Sequence, residues 1–343
     1  MTKKIRSRLF RSALLVGIIA IAAAIIVHSA FYGRAVGSDT TVYISSDTDY
    51  NSLVEQLRPA LRSGLHRRAF DDYAKRLRLA ERYRTGRYVM REGESVIRLV
   101  RRLVLGEQTP VRLVIGEART LPQLAGKLAA QLEADSVTLL RTMRDKQLRK
   151  EMGFVKDSTI AMFIPNTYEV WWSIAPEDLL RRMHREYNRV WNEERTAKLK
   201  RCRLSKYEVM TLASIVYEET KRVSDMPRIA GVYINRLRRG IALQACPTVK
   251  YAMGKFDLKR ILHAHLRYRS PFNTYTNRGL PPAPICIPSI AAIDGVLNYE
   301  QSSYLFFCAS PAMDGTHCFA RTLAEHNANS KRYSAELNRR NIK

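Results

Sequence analysis

The chain has 343 residues, 46% of them hydrophobic and 26% charged, and its 58 Lys and Arg against 32 Asp and Glu give a formal net charge of +26. That length and apolar content exclude a disordered or fibrous chain and allow one sizeable core with a second, smaller one. The charge points towards a polyanion, but basic residues such as Arg58, Arg62, Arg67, Arg68, Lys75, Arg76 and Arg78 recur on every predicted helix without a nucleic-acid module pattern. Nucleic acid is therefore not read as a partner; anionic lipid head groups or an acidic wall polymer suit the charge better, with generally solvated faces and a basic compositional bias as the equal alternative.

The first predicted element is a membrane anchor. Lys3, Lys4, Arg6, Arg8 and Arg11 precede an uncharged run over residues 12–31 rich in Ala, Ile, Leu and Val. About 20 such residues span a bilayer as a helix. The positive-inside rule keeps residues 1–11 in the cytoplasm and exports the rest. The run exceeds an ordinary signal-peptide core, which favours an uncleaved anchor over cleavage near Ser29-Ala30.

Thr41-Val42-Tyr43-Ile44-Ser45 reads as a strand, residues 50–61 as a helix with Leu53, Val54, Leu57 and Leu61 on one side, and residues 66–83 as a second helix. Gly86-Arg87-Tyr88-Val89-Met90 reads as a strand, residues 95–105 as a helix closed by Gly106, and Val111-Arg112-Leu113-Val114-Ile115 as a strand, together a small strand-helix-strand unit. From Thr120, Leu121, Leu124, Leu128 and Leu132 recur at helical spacing, leading to a turn at Phe163-Ile164-Pro165-Asn166-Thr167-Tyr168 and a helix over residues 176–191. Trp171 and Trp172, between those two, are expected in the core rather than stacked on sugar rings.

Ser205-Lys206-Tyr207-Glu208 has the Ser-x-x-Glu form of a capping box and starts the next helix. At about 100° per residue, Leu212, Ile215, Val216 and Glu219 share one apolar stripe, whereas Glu218 and Lys221 point away into solvent. Burial raises a carboxyl pKa, the tuning a general acid needs near neutral pH, so Glu219 is the candidate acid. A partly exposed Glu at a frayed helix end is the plain alternative.

Beyond this helix the pattern turns loop-rich. Asn235, Arg236, Gln244, Thr248, Tyr251, Asn273, Thr274 and Tyr275 lie in proline-stiffened segments whose amides, hydroxyls and aromatics suit a groove for a polar, uncharged polymer, with ordinary turn chemistry as the alternative. His263 and His265, two apart on a helix, face nearly opposite ways, so no metal is expected there, and no cofactor is implied. Gly315-Thr316-His317-Cys318-Phe319 followed by Glu325-His326-Asn327 reads as a strand then a helix. His317, Glu325 and Asn327 are candidate groove residues, a structural hydrogen-bonding histidine being the alternative. Cys202, Cys246, Cys286, Cys308 and Cys318 show no C-x-x-C pairing; their odd number excludes complete internal pairing, and sequence does not choose the partners of any disulfide.

Taken in order, residues 212–220, Asn235-Arg236-Leu237, Leu243-Gln244 with Pro247-Thr248-Val249, residues 270–275, residues 279–282 and Glu325-His326-Asn327 resemble the endolytic murein transglycosylase family, also called YceG-like or MltG. The resemblance implies an α+β fold: an N-terminal transmembrane helix, a small LysM-like α/β module over residues 42–118, and a mixed α/β catalytic domain over residues 119–343. It implies a single-pass inner-membrane protein with its body in the periplasm, cutting nascent peptidoglycan strands between N-acetylmuramic acid and N-acetylglucosamine to leave 1,6-anhydro ends. Peptidoglycan synthases are the partners it implies besides the glycan. The family's catalytic glutamate, the second acid of Ile-Val-Glu-x-Glu, matches Glu219; Tyr217 replaces the first, and Cys246 stands where the family has Asp before Pro-Thr-Val. A non-catalytic wall-binding or assembly protein and a hydrolytic muramidase are the competing readings.

Overall fold

The computed structural model describes residues 2–154, 156–258 and 261–340, with the side chains of residues 2–7 and 156–157 excepted. The fold is mixed α/β and divides into two compact units, one running to Arg112 and taking in Glu169–Ile174, the other holding the rest.

The first unit opens with helix α1 (Thr2–Tyr32), in which Arg8–Tyr32 has a mean hydropathy of 2.5 and is long and apolar enough to cross a membrane. Its last turn bends to a different use, since Ala30 and Phe31 pack into the unit's core. Then come β1 (Thr40–Ile44), α2 (Tyr50–Leu57), α3 (Gly64–Arg76), α4 (Leu79–Arg82), β2 (Gly86–Met90) and α5 (Val96–Leu105). β1 and β2 are antiparallel with Val42 opposite Tyr88, so the two-residue alternation puts Val42, Ile44, Tyr88 and Met90 on the buried face. Gly106 closes α5 in the left-handed conformation at φ 72°, as its position after the last periodic residue predicts.

Three expectations change here. The helix expected over residues 66–83 breaks at Arg78, whose φ of 54° is left-handed and separates α3 from α4. The strand-helix-strand unit does not form one sheet: β2 pairs with β1, while β3 (Val111–Ile115) pairs with β4 (Asn166–Val170). Alternation in a strand fixes which face is buried and leaves the neighbour undetermined. Trp171 is not core; it is 50% exposed, and Trp172 packs its ring 4.9 Å from that of Tyr43. β4 buries Tyr168 and Val170, so the same alternation sends Trp171 outward.

In the second unit α6 (Leu121–Ala129), α7 (Ser136–Arg144), α8 (Lys146–Glu151), α9 (Pro176–Val190) and α10 (Glu193–Cys202) lead to α11 (Lys206–Glu219). This central helix is buried on every side from Val209 through Val216, and α12 (Met226–Arg238), α13 (Cys246–Met253) and α15 (Ile290–Leu297) pack against it. The single turn α14 (His263–Leu266) precedes α15, and the antiparallel hairpin β5 (Phe306–Ala309) and β6 (His317–Ala320) leads to α16 (Leu323–Arg339). The region expected to be loop-rich is therefore partly helical. Pro227 and Pro247 read as turn signals but sit in the first turns of α12 and α13, where a missing N–H costs nothing. Gly231 lies inside α12 because a Cβ there would collide with the Glu300 carbonyl.

Candidate active site

The Ser205 hydroxyl accepts the Glu208 N–H while the Glu208 carboxylate accepts the Ser205 N–H at 2.8 Å, so α11 starts at the capping box. It ends at Glu219, with Thr220 already extended at φ −146°. Glu219 is thus the last residue of a helix buried all round, not a member of a stripe on one face. Its surroundings come from α12, the start of α13 and the β5–β6 hairpin. The Tyr233 hydroxyl, on α12, donates to Glu219 Oε1 at 2.7 Å.

Burial pushes the Glu219 carboxyl from an ordinary 4.5 to about 7; the Tyr233 hydrogen bond and the charge of Lys250 pull it down, and Glu218 adds to the rise. Some of the residue's surface stays open to solvent, but enclosure of the carboxyl is what dominates its ionisation. The negative end of α11 also disfavours a second negative charge there. Glu218 is not solvated as phasing predicts. Its carboxylate receives Arg119 Nη2 at 2.9 and 3.2 Å, leaving the side chain 16% exposed. A charged partner from the chain before α6 covers a position that helix phase alone turns outward. Lys221 does stay exposed, 3.2 Å from Glu117 and over the Tyr217 ring.

Glu219 lines two adjoining chambers. The first, about 310 Å³, is walled by Tyr233, Arg236, Gln244, Cys246, Tyr275, Phe306, Phe307, Leu323 and His326 among others. The second, about 600 Å³, is walled by Lys221, Arg222, Ser310, Asp314, Thr316, His317 and Tyr333 among others.

The candidate groove residues divide between walls and scaffold. Arg236, Gln244 and Tyr275 reach the first chamber and His317 the second. Arg236 is buried, and Nε bonds the Leu305 carbonyl at 2.8 Å while Nη1 bonds the carbonyls of Ala242 and Leu243 and Gln244 Oε1. It ties α12 to the segment before α13 and to the start of β5. The Tyr275 hydroxyl lies 3.2 Å from Cys246 Sγ, and burial pushes both groups' pKa values up. His317 Nδ1 lies 2.9 Å from Asp225 Oδ2.

The others lie outside the chamber walls. Asn235 Nδ2 bonds the carbonyls of Ser302 and Tyr304. Thr248 and Thr274 are buried and share a 2.8 Å hydroxyl contact. Asn273 donates to the carbonyls of Leu266 and Tyr268 and accepts from the Tyr275 N–H, which fixes the turn that presents Tyr275. Tyr251 packs its ring 4.7 Å from Phe272. Glu325 is exposed and accepts the Arg321 N–H at the start of α16, and Asn327 is exposed.

Sequence reasoning missed Tyr233 and His326. Tyr233 precedes Arg236 by one helical turn, a signal lost when the segment is read as loop. His326 lies one turn after Leu323 on α16, and both line the first chamber; phasing from Leu323 selects it over its neighbours Glu325 and Asn327. Its ring stacks on Phe306 at 5.4 Å, and Nδ1 is buried with no hydrogen-bond partner among the described residues. Burial and the nearby Arg236 charge lower its pKa. Among the described residues no group of three His, Cys, Asp or Glu is placed to hold a metal.

A model of the YceG-like family matches residues 42–332. The chain is 27% identical over 294 residues to the endolytic murein transglycosylase of Bacillus subtilis (strain 168), an alignment covering 79% of this chain and 78% of that protein. It is 28% identical over 338 residues to the endolytic murein transglycosylase of Streptococcus pneumoniae serotype 2 (strain D39 / NCTC 7466), covering 88% of this chain and 61% of the relative. Among solved structures, a yceG-like protein from Listeria monocytogenes superposes with a TM-score of 0.58 at 26% identity, covering 85% of this chain and 98% of that one.

Proposed function

The chain belongs to the YceG-like family, and on that premise we propose that it is a membrane-anchored endolytic transglycosylase of peptidoglycan in which Glu219 acts as both acid and base. The observation that carries the proposal is one carboxyl, raised to about 7, at the junction of two chambers. A polymer cut within its length needs room on both sides of the scissile bond. The acid must still hold its proton near neutral pH.

Tyr233 engages Oε1, which leaves Oε2 to carry that proton. Protonation of the glycosidic oxygen breaks the bond between C1 of N-acetylmuramic acid and the departing N-acetylglucosamine. The same carboxylate then takes the proton of the muramic acid's own C6 hydroxyl as that oxygen bonds to C1, closing the 1,6-anhydro ring. The nucleophile is already part of the substrate, so proximity replaces the second carboxylate of a hydrolase. The other carboxylate lining the chambers, Asp314, is exposed and taken up by the N–H and hydroxyl of Thr316.

In this reading Arg236, Gln244, Tyr275, His317 and His326 contact or frame the glycan. Asn235, Thr248, Tyr251, Asn273 and Thr274 hold the walls, and Glu325 and Asn327 contribute little. α1 anchors the protein in the inner membrane with residues 1–11 cytoplasmic and the body in the periplasm. Residues 42–118 form a LysM-like glycan-holding module and residues 119–343 the catalytic domain; peptidoglycan synthases are the partner class that strand termination implies. Cys246, adjoining Tyr275 on the wall shared with Glu219, keeps a neutral group where the family places Asp, so it adds no second negative charge beside the acid.

Mass spectrometry of digested glycan strands tests the chemistry. Anhydro-muramic ends are expected; reducing ends alone make the enzyme a hydrolase and give Asp314 the second role. Glycan pull-down by the Glu219→Gln protein with no cleavage by the wild type leaves only a binding protein.

A further inference from the structure

The antiparallel register of the β5–β6 hairpin sets Cys308 directly opposite Cys318. Opposed residues in such a ladder project from the same face, with Cα atoms about 4.5–5.5 Å apart. A disulfide spans Cα separations of about 4.4–6.8 Å, which the opposed pair meets, and closing it requires the short hairpin to draw the two Cβ atoms together to about 3.8 Å. Both cysteines are half-buried and reduced, and so within reach of a small oxidant, whereas Cys202 and Cys286 are buried in the helical core. Cys246 is engaged with Tyr275.

The hairpin is a wall of both chambers. Phe306 and Phe307 face the first, and Ser310, Met313, Asp314, Gly315, Thr316 and His317 the second. Its strands are four residues each, short enough for the connecting turn to open locally when only ladder hydrogen bonds hold it.

We propose that Cys308 and Cys318 are a covalent modification site, a cross-strand disulfide that staples the hairpin and fixes the wall of the second chamber. The site rests on the reading of an exported body, because a structural disulfide persists in an oxidising compartment. In the reaction one thiolate attacks a sulfur of a small disulfide such as oxidised glutathione, releasing one thiol. The second cysteine then displaces the other half. One S–S bond forms in the protein as one is reduced outside it, and the two protons lost by the cysteines end on the two thiols released.

The full-length protein in detergent is incubated with oxidised glutathione, unfolded, alkylated with N-ethylmaleimide and cut with trypsin and Asp-N. Cleavage before Asp294 and Asp314 separates Cys286, Cys308 and Cys318 onto different peptides. The expected result is loss of two of the five alkylatable thiols and a reducible link between peptides 294–313 and 314–321. That link should vanish in Cys308→Ser and, separately, in Cys318→Ser. Hydrogen exchange of residues 310–316 should slow on the order of tenfold on oxidation. Full alkylation, glutathione adducts that never resolve, or a link to another cysteine overturns the site; unchanged exchange overturns its effect on the wall. Thiol counts do not depend on glycan cleavage, so failure here is distinguishable from failure of the lytic reading.

Discussion

The two chambers beside Glu219 are walled by different kinds of side chain. The first is walled by Tyr233, Phe306, Phe307, Leu243 and Leu305, with its one cation, Arg236, bonded to backbone carbonyls; the second carries Lys221, Arg222, Asp314, Thr316 and His317. With an aromatic wall on one side and charged and hydroxyl-bearing side chains on the other, the carboxyl is enclosed enough to favour its protonated form and is still reachable from both chambers. Glu218, one residue earlier, has Arg119 on its carboxylate and lines neither chamber.

The strongest way to break this contrast is Glu219→Gln, which should lower strand cleavage on the order of 10³-fold, measured by release of soluble muropeptides. The same variant sharpens the burial argument through stability. The unfolded carboxyl ionises near 4.5 and the folded one near 7, so across that interval the folded state holds more protons and stability falls as pH rises. Glu219→Gln should therefore be more stable than wild type by about 3 kcal/mol at pH 8 and by less than about 1 kcal/mol at pH 5, by denaturant melts. Equal melts at both values would mean the carboxyl is not buried. Cleavage by the wild type should be lost as pH rises through about 7, because the acid loses its proton.

Arg236→Met tests whether the apolar chamber depends on its buried clamp. It strands the carbonyls of Ala242, Leu243 and Leu305, and should destabilise the fold by about 3 kcal/mol in the same melts. Tyr233→Phe keeps the wall and removes the hydrogen bond that pulls the Glu219 pKa down. The alkaline limb of the pH–rate profile should move to higher pH, with the maximum rate changed by no more than about tenfold; a limb moving lower contradicts the assignment. The smallest effect is expected at the rim. Glu325→Ala should cost about 0.5–1 kcal/mol of stability through its place at the start of α16, and Asn327→Ala should change cleavage by less than about twofold.

The elements legible beforehand were those with strong local signals. The capping box at Ser205 and Glu208, the Gly106 stop and the Val42–Ile44 and Tyr88–Met90 alternations lie where expected. α12 was illegible because the segment holding Asn235 and Arg236 was read as loop, and with it went Tyr233, the residue in direct contact with the acid. Arg236 and Asn273 were legible as polar residues in ordered places, but a polar side chain reads the same whether it will meet a ligand or a backbone carbonyl.

The sequence by itself determined the apolar N-terminal helix and the start of α11, because these rest on hydropathy and capping along neighbouring residues. Tertiary structure alone decided what surrounds the Glu219 carboxyl, what pairs with Glu218, which residue in the first turns of α16 turns inward and which two cysteines stand opposite one another. Those outcomes depend on residues brought from up to 114 positions away, from Glu219 to Tyr333, and no local period encodes a neighbour that only folding supplies.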